Sequence, residues 1–201
     1  MEVVAQKTNT GQIFSPQLAE DWRPICAQMV STVSDIRGGY SGKWMDIGFG
    51  NGALLLVAQE FGYTATGVDL RKDGVRALKP YVNDVRYEDF FNIDEFGEYD
   101  VISMADVLEH LPFPVKMLTH AKSLLNENGL LFVSLPNFES PIWEILHDNK
   151  KNPYWSELEH FHNFSRERLY ALLEDNGFQP CHYGISRRYR ACMEVIAKSV
   201  N

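Results

Sequence analysis

The run Lys43-Trp44-Met45-Asp46-Ile47-Gly48-Phe49-Gly50-Asn51-Gly52-Ala53-Leu54-Leu55-Leu56-Val57-Ala58 constrains this chain more than any other. Its first five residues read as a strand and the apolar stretch from Ala53 as a buried helix, so Gly48, Gly50 and Gly52 occupy a strand-to-helix turn. Glycine there permits positive φ and leaves no Cβ between the backbone and a ligand. The free N–H groups at the start of the helix suit a negative group such as a carboxylate. A second strand, Thr64-Ala65-Thr66-Gly67-Val68, ends on Asp69, seventeen residues after the last glycine. A carboxylate at that strand end can accept hydrogen bonds from two ribose hydroxyls.

Strand and helix signals alternate from residue 43 to 135, which predicts a parallel sheet with helices on both faces. Strands are expected at 43–47, 64–69, 84–87, 99–104 and 129–135, with a hairpin at 178–186 and 191–198 closing the chain. Met117, Leu118, Ala121, Leu124 and Leu125 share one face of a helix at 114–125. Ser165 is a good N-cap for a helix whose apolar stripe is Leu169, Leu172 and Leu173, and Asn176-Gly177 suits its end. Ser15-Pro16 opens a helix running to about Ile36. The length of 201 residues suits one domain spanning 1–201, with a helical cap at about 15–37. Residues 136–164 break the rhythm with a connection far longer than the usual four to six residues. Their aromatics, Phe138, Trp143, Tyr154, Trp155, Phe161 and Phe164, either form a lid over a site or pack the insertion onto the sheet.

The glycines alternate as G-x-G-x-G behind an acid, unlike the G-x-G-x-x-G of dinucleotide sites. With Asp46 and Asp69, this set resembles the first motifs of the class I S-adenosylmethionine (SAM)-dependent methyltransferases. The likeness extends to Tyr99-Asp100-Val101-Ile102-Ser103-Met104, to Ala105-Asp106-Val107-Leu108-Glu109-His110-Leu111-Pro112, and to Leu124-Leu125-Asn126-Glu127-Asn128-Gly129. Glu159-His160-Phe161-His162-Asn163-Phe164-Ser165 resembles a signature of the subgroup that holds ubiquinone-biosynthesis O-methyltransferases and small-molecule or glycan methyltransferases. The resemblance implies a Rossmann-like, doubly wound, seven-stranded α/β sheet, mostly parallel with an antiparallel C-terminal hairpin. It implies SAM as cofactor and S-adenosylhomocysteine as product. Asp46 and the turn of Gly48, Phe49, Gly50 and Gly52 would hold the methionyl end, and Asp69 the ribose, with Leu70 against the adenine. Asp89 would accept the adenine amino group, with Phe90 beside the ring. Met104 and Ala105 would lie near the sulfur. Phe49 departs from the smaller residues common between the first two glycines.

Methyl transfer from a sulfonium requires alignment of nucleophile, carbon and sulfur, and a hydroxyl acceptor benefits from a base. Histidine suits that role. His110 follows the fourth strand, while His160 and His162 flank an aromatic at the edge of the insertion. Each either acts on the acceptor or satisfies a loop carbonyl. His120 and His182 are expected in packing or surface roles, and His147 has no evident partner. No metal is expected, because no H-E-x-x-H, cysteine pair or Asp-Asn pair stands where a metal site would need it. No Asn-Pro-Pro-Tyr-like segment follows the fourth strand.

The net charge of −8 opposes binding to nucleic acid or an acidic membrane face. Arg187-Arg188-Tyr189-Arg190, the one basic cluster, is expected as a solvated hairpin tip. No apolar run reaches the ~18 residues that span a bilayer, and Met1-Glu2-Val3-Val4-Ala5-Gln6-Lys7 lacks the build of a signal peptide. Cys26, Cys181 and Cys192 fit idle thiols in a reducing cytoplasm. The expectation is a cytoplasmic enzyme that methylates a small molecule, most simply at oxygen. N- or C-methylation on the same scaffold, a nicotinamide-dependent oxidoreductase, and a silent SAM-binding module acting through a protein partner are the alternatives.

Overall fold

The structure, a computed structural model, describes residues 16–189 and 191–200. Met1 to Lys7, Ser15 and Arg190, on which some expectations rest, lie outside the described residues. The chain forms one seven-stranded sheet in the order β3-β2-β1-β4-β5-β7-β6. The strands are β1 (Gly42–Ile47), β2 (Tyr63–Asp69), β3 (Asp84–Tyr87), β4 (Tyr99–Ala105), β5 (Leu125–Pro136), β6 (Phe178–Ile185) and β7 (Cys192–Ser199). The pairs among β1 to β5 are parallel, and β7 inserts antiparallel between β5 and β6. The expected sheet and hairpin are both present.

The described α-helices are α1 (Pro16–Arg37), α2 (Ala53–Phe61), α3 (Lys72–Leu78), α4 (Pro114–Leu124), α5 (Pro141–Asp148) and α6 (Arg166–Asp175). Ser165 caps α6 by accepting from the Arg168 amide, as its type suggested. α3 was not foreseen, because its Gly74 and short apolar pattern, Val75 and Leu78, give a weak periodic signal. β5 begins earlier than expected. Leu125 pairs with Tyr99 before an irregularity, and the regular register resumes at Val101 with Leu130. Asn128, at φ +63°, lies in that irregular stretch.

Strand alternation divides the core in two. Trp44, Val101, Phe132 and Ile196 face α1, α2 and α3 through Val30, Val33, Leu55 and Leu78. Met45, Ile102, Leu131 and Val195 face α4 and α6 through Leu118, Ala121, Leu169 and Leu173. The sheet therefore has helices on both faces and leaves its strand C-terminal ends open to a crevice, where ligands bind in such sheets. No described helix is long and apolar enough to cross a membrane.

Candidate active site

A cavity of about 610 Å³ opens at the C-terminal ends of β1, β2 and β4. The turn after β1 forms one wall. Gly48, Gly50 and Gly52 all take positive φ there. At Gly50, φ is +59° and a Cβ would meet nothing within 4 Å, so the backbone stands bare toward the cavity. Gly52 serves packing instead, since a Cβ there would come within 2.2 Å of Leu78. Phe49 lines the cavity and is also core, because its ring fills the space that Gly67 leaves over β2.

Asp46 is 3 % exposed at the end of β1. The Trp44 indole donates to Ser103 Oγ at 2.8 Å, and the Ser103 hydroxyl donates to Asp46 Oδ1 at 2.6 Å. Two strands thus hold this carboxylate in one orientation. Burial raises its pKa to about 7, against the lowering effect of the Ser103 hydrogen bond. Asp69 ends β2 with its carboxylate held by Arg71. Leu70, Asp89 and Phe90 line the same cavity, and Asp89 also caps a single 3₁₀ turn by accepting from Phe91 N at 3.1 Å. Ala105 lines the cavity, but Met104 does not: alternation along β4 turns it to the other face, fully buried against the α4 side.

Beyond β4 the cavity changes character. Asp106 adopts φ +56°, a costly conformation for a residue with a side chain, and pairs with Arg188. Arg188 is the main correction to the sequence expectation. The hairpin tip lies where expected, but this arginine is largely covered rather than solvated, its guanidinium packed on the rings of Trp22 and Tyr189. Glu109, on the 3₁₀ turn Leu108–His110, is 1 % exposed. Neither of its carboxylate oxygens has a partner among the described residues. Burial, then the neighbouring Asp106 charge, hold its pKa well above the ordinary carboxyl value.

The insertion straps itself to this turn. Phe161 N and His162 N donate to the Glu109 carbonyl at 2.9 and 3.3 Å, and a bridge between Asn137 and Phe164 closes the segment at its base. Trp143 stacks on Tyr154 with centroids 5.0 Å apart, while Tyr154 and Phe161 also border the cavity.

His110 and His160 meet edge to face, with ring centroids 4.6 Å apart, and both line the cavity. His110 Nδ1 lies 3.2 Å from the Glu159 carbonyl. A carbonyl only accepts, so this contact assigns the proton to Nδ1 and the lone pair to Nε2. Burial, then His110, depress the His160 pKa to about 4, so its ring is neutral at neutral pH. His162 does not line the cavity, and its ring lies against Phe164. Two further histidines hold local structure: His120 bonds the Phe90 carbonyl at 3.1 Å, and His147 accepts from the Trp155 indole at 3.1 Å.

Glu109, His110 and His160 bring their ligand atoms within 4.8 Å of one another, a set that can hold a divalent cation. The sequence motifs gave no sign of it, because the third member arrives from 50 residues away through the strap. The thiols of Cys26 and Cys192 border the cavity, but burial raises both, Cys26 to about 12, so neither is a nucleophile at neutral pH. Asp106, Glu109, Arg188, Trp22 and Tyr154 were not among the expected site residues. Asp106 and Glu109 stood in the motif after β4, Tyr154 among the insertion's aromatics and Arg188 in the basic cluster, whereas Trp22 had no local signal.

The family model for a methyltransferase domain matches residues 18–183. Ubiquinone biosynthesis O-methyltransferase of Glaesserella parasuis is 31% identical over 118 residues, covering 52% of this chain and 50% of that protein. The mitochondrial enzyme of the same description from Saccharomyces cerevisiae is 30% identical over 109 residues, covering 49% and 35%. The chain therefore spans half the length or less of these relatives. Among solved structures, the 1,6-didemethyltoxoflavin-N1-methyltransferase of Burkholderia thailandensis, with its substrate and S-adenosylhomocysteine bound, matches at TM-score 0.73 and 15% identity, covering 99% of this chain and 88% of that one. Magnesium protoporphyrin IX methyltransferase of Synechocystis, with S-adenosylhomocysteine bound, matches at TM-score 0.71 and 21% identity, covering 98% of each.

Proposed function

This chain belongs to the methyltransferase-domain family, class I and SAM-dependent, and from that membership we propose that it methylates a small-molecule acceptor at oxygen. The observation that carries the proposal is the division of one cavity into two chemically different ends. At one end stand Asp46, the bare Gly50 backbone and Asp69. At the other stand Glu109, His110, Tyr154 and His160.

The first end fits SAM. A bare backbone at Gly50 leaves room that a side chain would fill. Asp46 offers a fixed carboxylate to an ammonium. Asp69 offers two oxygens to a ribose diol, and Phe90, beside Asp89, offers an apolar wall to a purine. When bound, SAM supplies a methyl group already activated on a sulfonium sulfur. The chain's residues need then only orient an acceptor and take its proton.

For that proton the reading assigns His110, whose Nδ1–H is committed to the Glu159 carbonyl and whose Nε2 keeps its lone pair. His160 is the neutral partner across the ring contact and orients the acceptor. His162, the other candidate on sequence grounds, is assigned no contact with the acceptor. The segment 136–164 serves as the lid, with Tyr154 and Phe161 facing the acceptor.

Two measurements test this. Calorimetry should detect S-adenosylhomocysteine binding and no NAD binding. Incubation with SAM and a panel of phenols, alcohols, carboxylic acids and amines, read by mass spectrometry, should yield methyl ethers or esters. Methylation confined to amines would favour nitrogen as the acceptor atom. No product from any class, with cofactor binding intact, would favour the silent module.

A further inference from the structure

We propose that Arg71 is an internal competitor for the carboxylate of Asp69, so that the cofactor's ribose binds only by displacing its side chain. The inference rests on the ribose reading of Asp69 and goes beyond it to how that seat is kept when empty.

The geometry is local. β2 ends at Asp69, and the chain turns at once into α3, leaving Arg71 two residues further on. Asp69 Oδ1 accepts from the Arg71 backbone N–H at 2.8 Å, which fixes the turn, and from Arg71 Nε at 2.9 Å. A terminal guanidinium nitrogen bonds Oδ2. Each carboxylate oxygen has room for about two donors, so Oδ1 is already full. A ribose diol placing one hydroxyl on each oxygen cannot reach Oδ1 until Nε–H leaves. The backbone bond can stay, so the turn need not rearrange.

Both states have somewhere to go. The Asp69 side chain is 4 % exposed, and without the Arg71 guanidinium it would be a nearly buried carboxylate with no cation against it, left to the Arg71 backbone N–H. Arg71 stabilises the empty site against that cost. Its own side chain is 33 % exposed and borders the cavity, so it can swing into solvent when hydroxyls take its place. A ligand that binds only the displaced arrangement loses affinity by the population of the paired one. SAM and S-adenosylhomocysteine share the ribose, so Arg71 weakens both alike.

The test is a double-mutant cycle read by calorimetry with S-adenosylhomocysteine at pH 8, on wild type, Arg71→Ala, Asp69→Ala and the double variant. Arg71→Ala should bind about three- to tenfold more tightly, the scale of a partly exposed ion pair. On the Asp69→Ala background the same change should have no effect. Arg71→Gln, which keeps length without charge, should also tighten binding if removal of the whole side chain perturbs the turn, and thermal unfolding checks that each variant is folded. Unchanged or weaker binding by both Arg71 variants overturns the competitor role and would make Arg71 idle or a cofactor contact. Wild-type affinity in Asp69→Ala overturns the ribose reading itself, whatever Arg71 does.

Discussion

Arg188, in the turn between β6 and β7, donates from a terminal guanidinium nitrogen to Asp106 Oδ2 at 2.5 Å, joining residues 82 positions apart. The pair ties the far edge of the sheet to the turn after β4, and Trp22 of α1 packs on the guanidinium from outside. Arg188→Met should therefore destabilise the fold by roughly 1–3 kcal/mol, because it leaves a partly buried carboxylate, 28 % exposed, without its cation. Arg188→Met combined with Asp106→Asn should recover a large part of that loss. Chemical denaturation of the two single variants and the double one measures the coupling. Simple addition of the single losses would mean that the two side chains act independently.

Asp46 should behave as a group whose function costs stability. Its folded pKa, about 7, lies above the unfolded value. Between those two values the folded chain keeps a proton that the unfolded chain has released, so stability from this residue falls as pH rises to about 7. Asp46→Asn should be more stable than wild type at pH 8, by on the order of 1–3 kcal/mol. S-adenosylhomocysteine affinity should show the opposite trend. An ammonium seated on Asp46 favours the ionised form, so wild-type affinity should rise from pH 6 to pH 8 and Asp46→Asn should lose that rise. Denaturation and calorimetry at both pH values test the pair of effects. Destabilisation by Asp46→Asn at pH 8 would contradict the assignment.

Gly50→Val should abolish cofactor binding. The residue sits at φ +59° with open space where a Cβ would be, so a branched side chain both strains the turn and enters the cavity. The strain should cost only about 1–2 kcal/mol, so the variant should still unfold cooperatively. Normal S-adenosylhomocysteine affinity in a folded Gly50→Val variant would place the ligand elsewhere.

Turnover should fall roughly 10²–10⁴-fold in His110→Ala, the usual share of general-base catalysis, with cofactor affinity nearly unchanged. His160→Ala should raise KM for the acceptor more than it lowers kcat, and His162→Ala should retain activity. Steady-state kinetics on whichever acceptor proves active supplies all three numbers. The same assay after chelator treatment separates two chemistries at this trio. Unchanged turnover keeps the proton with His110. A loss restored by a divalent cation would instead make Glu109, His110 and His160 its ligands.

The sequence by itself determined the sheet and the glycine-turn end of the cavity. Those features are local: an acid, three glycines and an apolar helix lie within a few residues of one another, and strand periodicity needs only neighbours to be read. Asp46, Gly50 and Asp69 stand at strand ends for that reason. Met104 was expected beside the cofactor, but β4 runs on to Ala105, and strand alternation turns Met104 away from the cavity. The opposite end, beyond β4, was decided by tertiary structure. Glu109 and His110 come from one turn, His160 and Tyr154 from the insertion strapped to the Glu109 carbonyl, and Arg188 from a hairpin that reaches back across the sheet. No periodicity or spacing encodes that meeting. Nor does sequence show that an arginine in a basic run is largely covered, because the carboxylate and the Trp22 ring that meet it come from the turn after β4 and from α1.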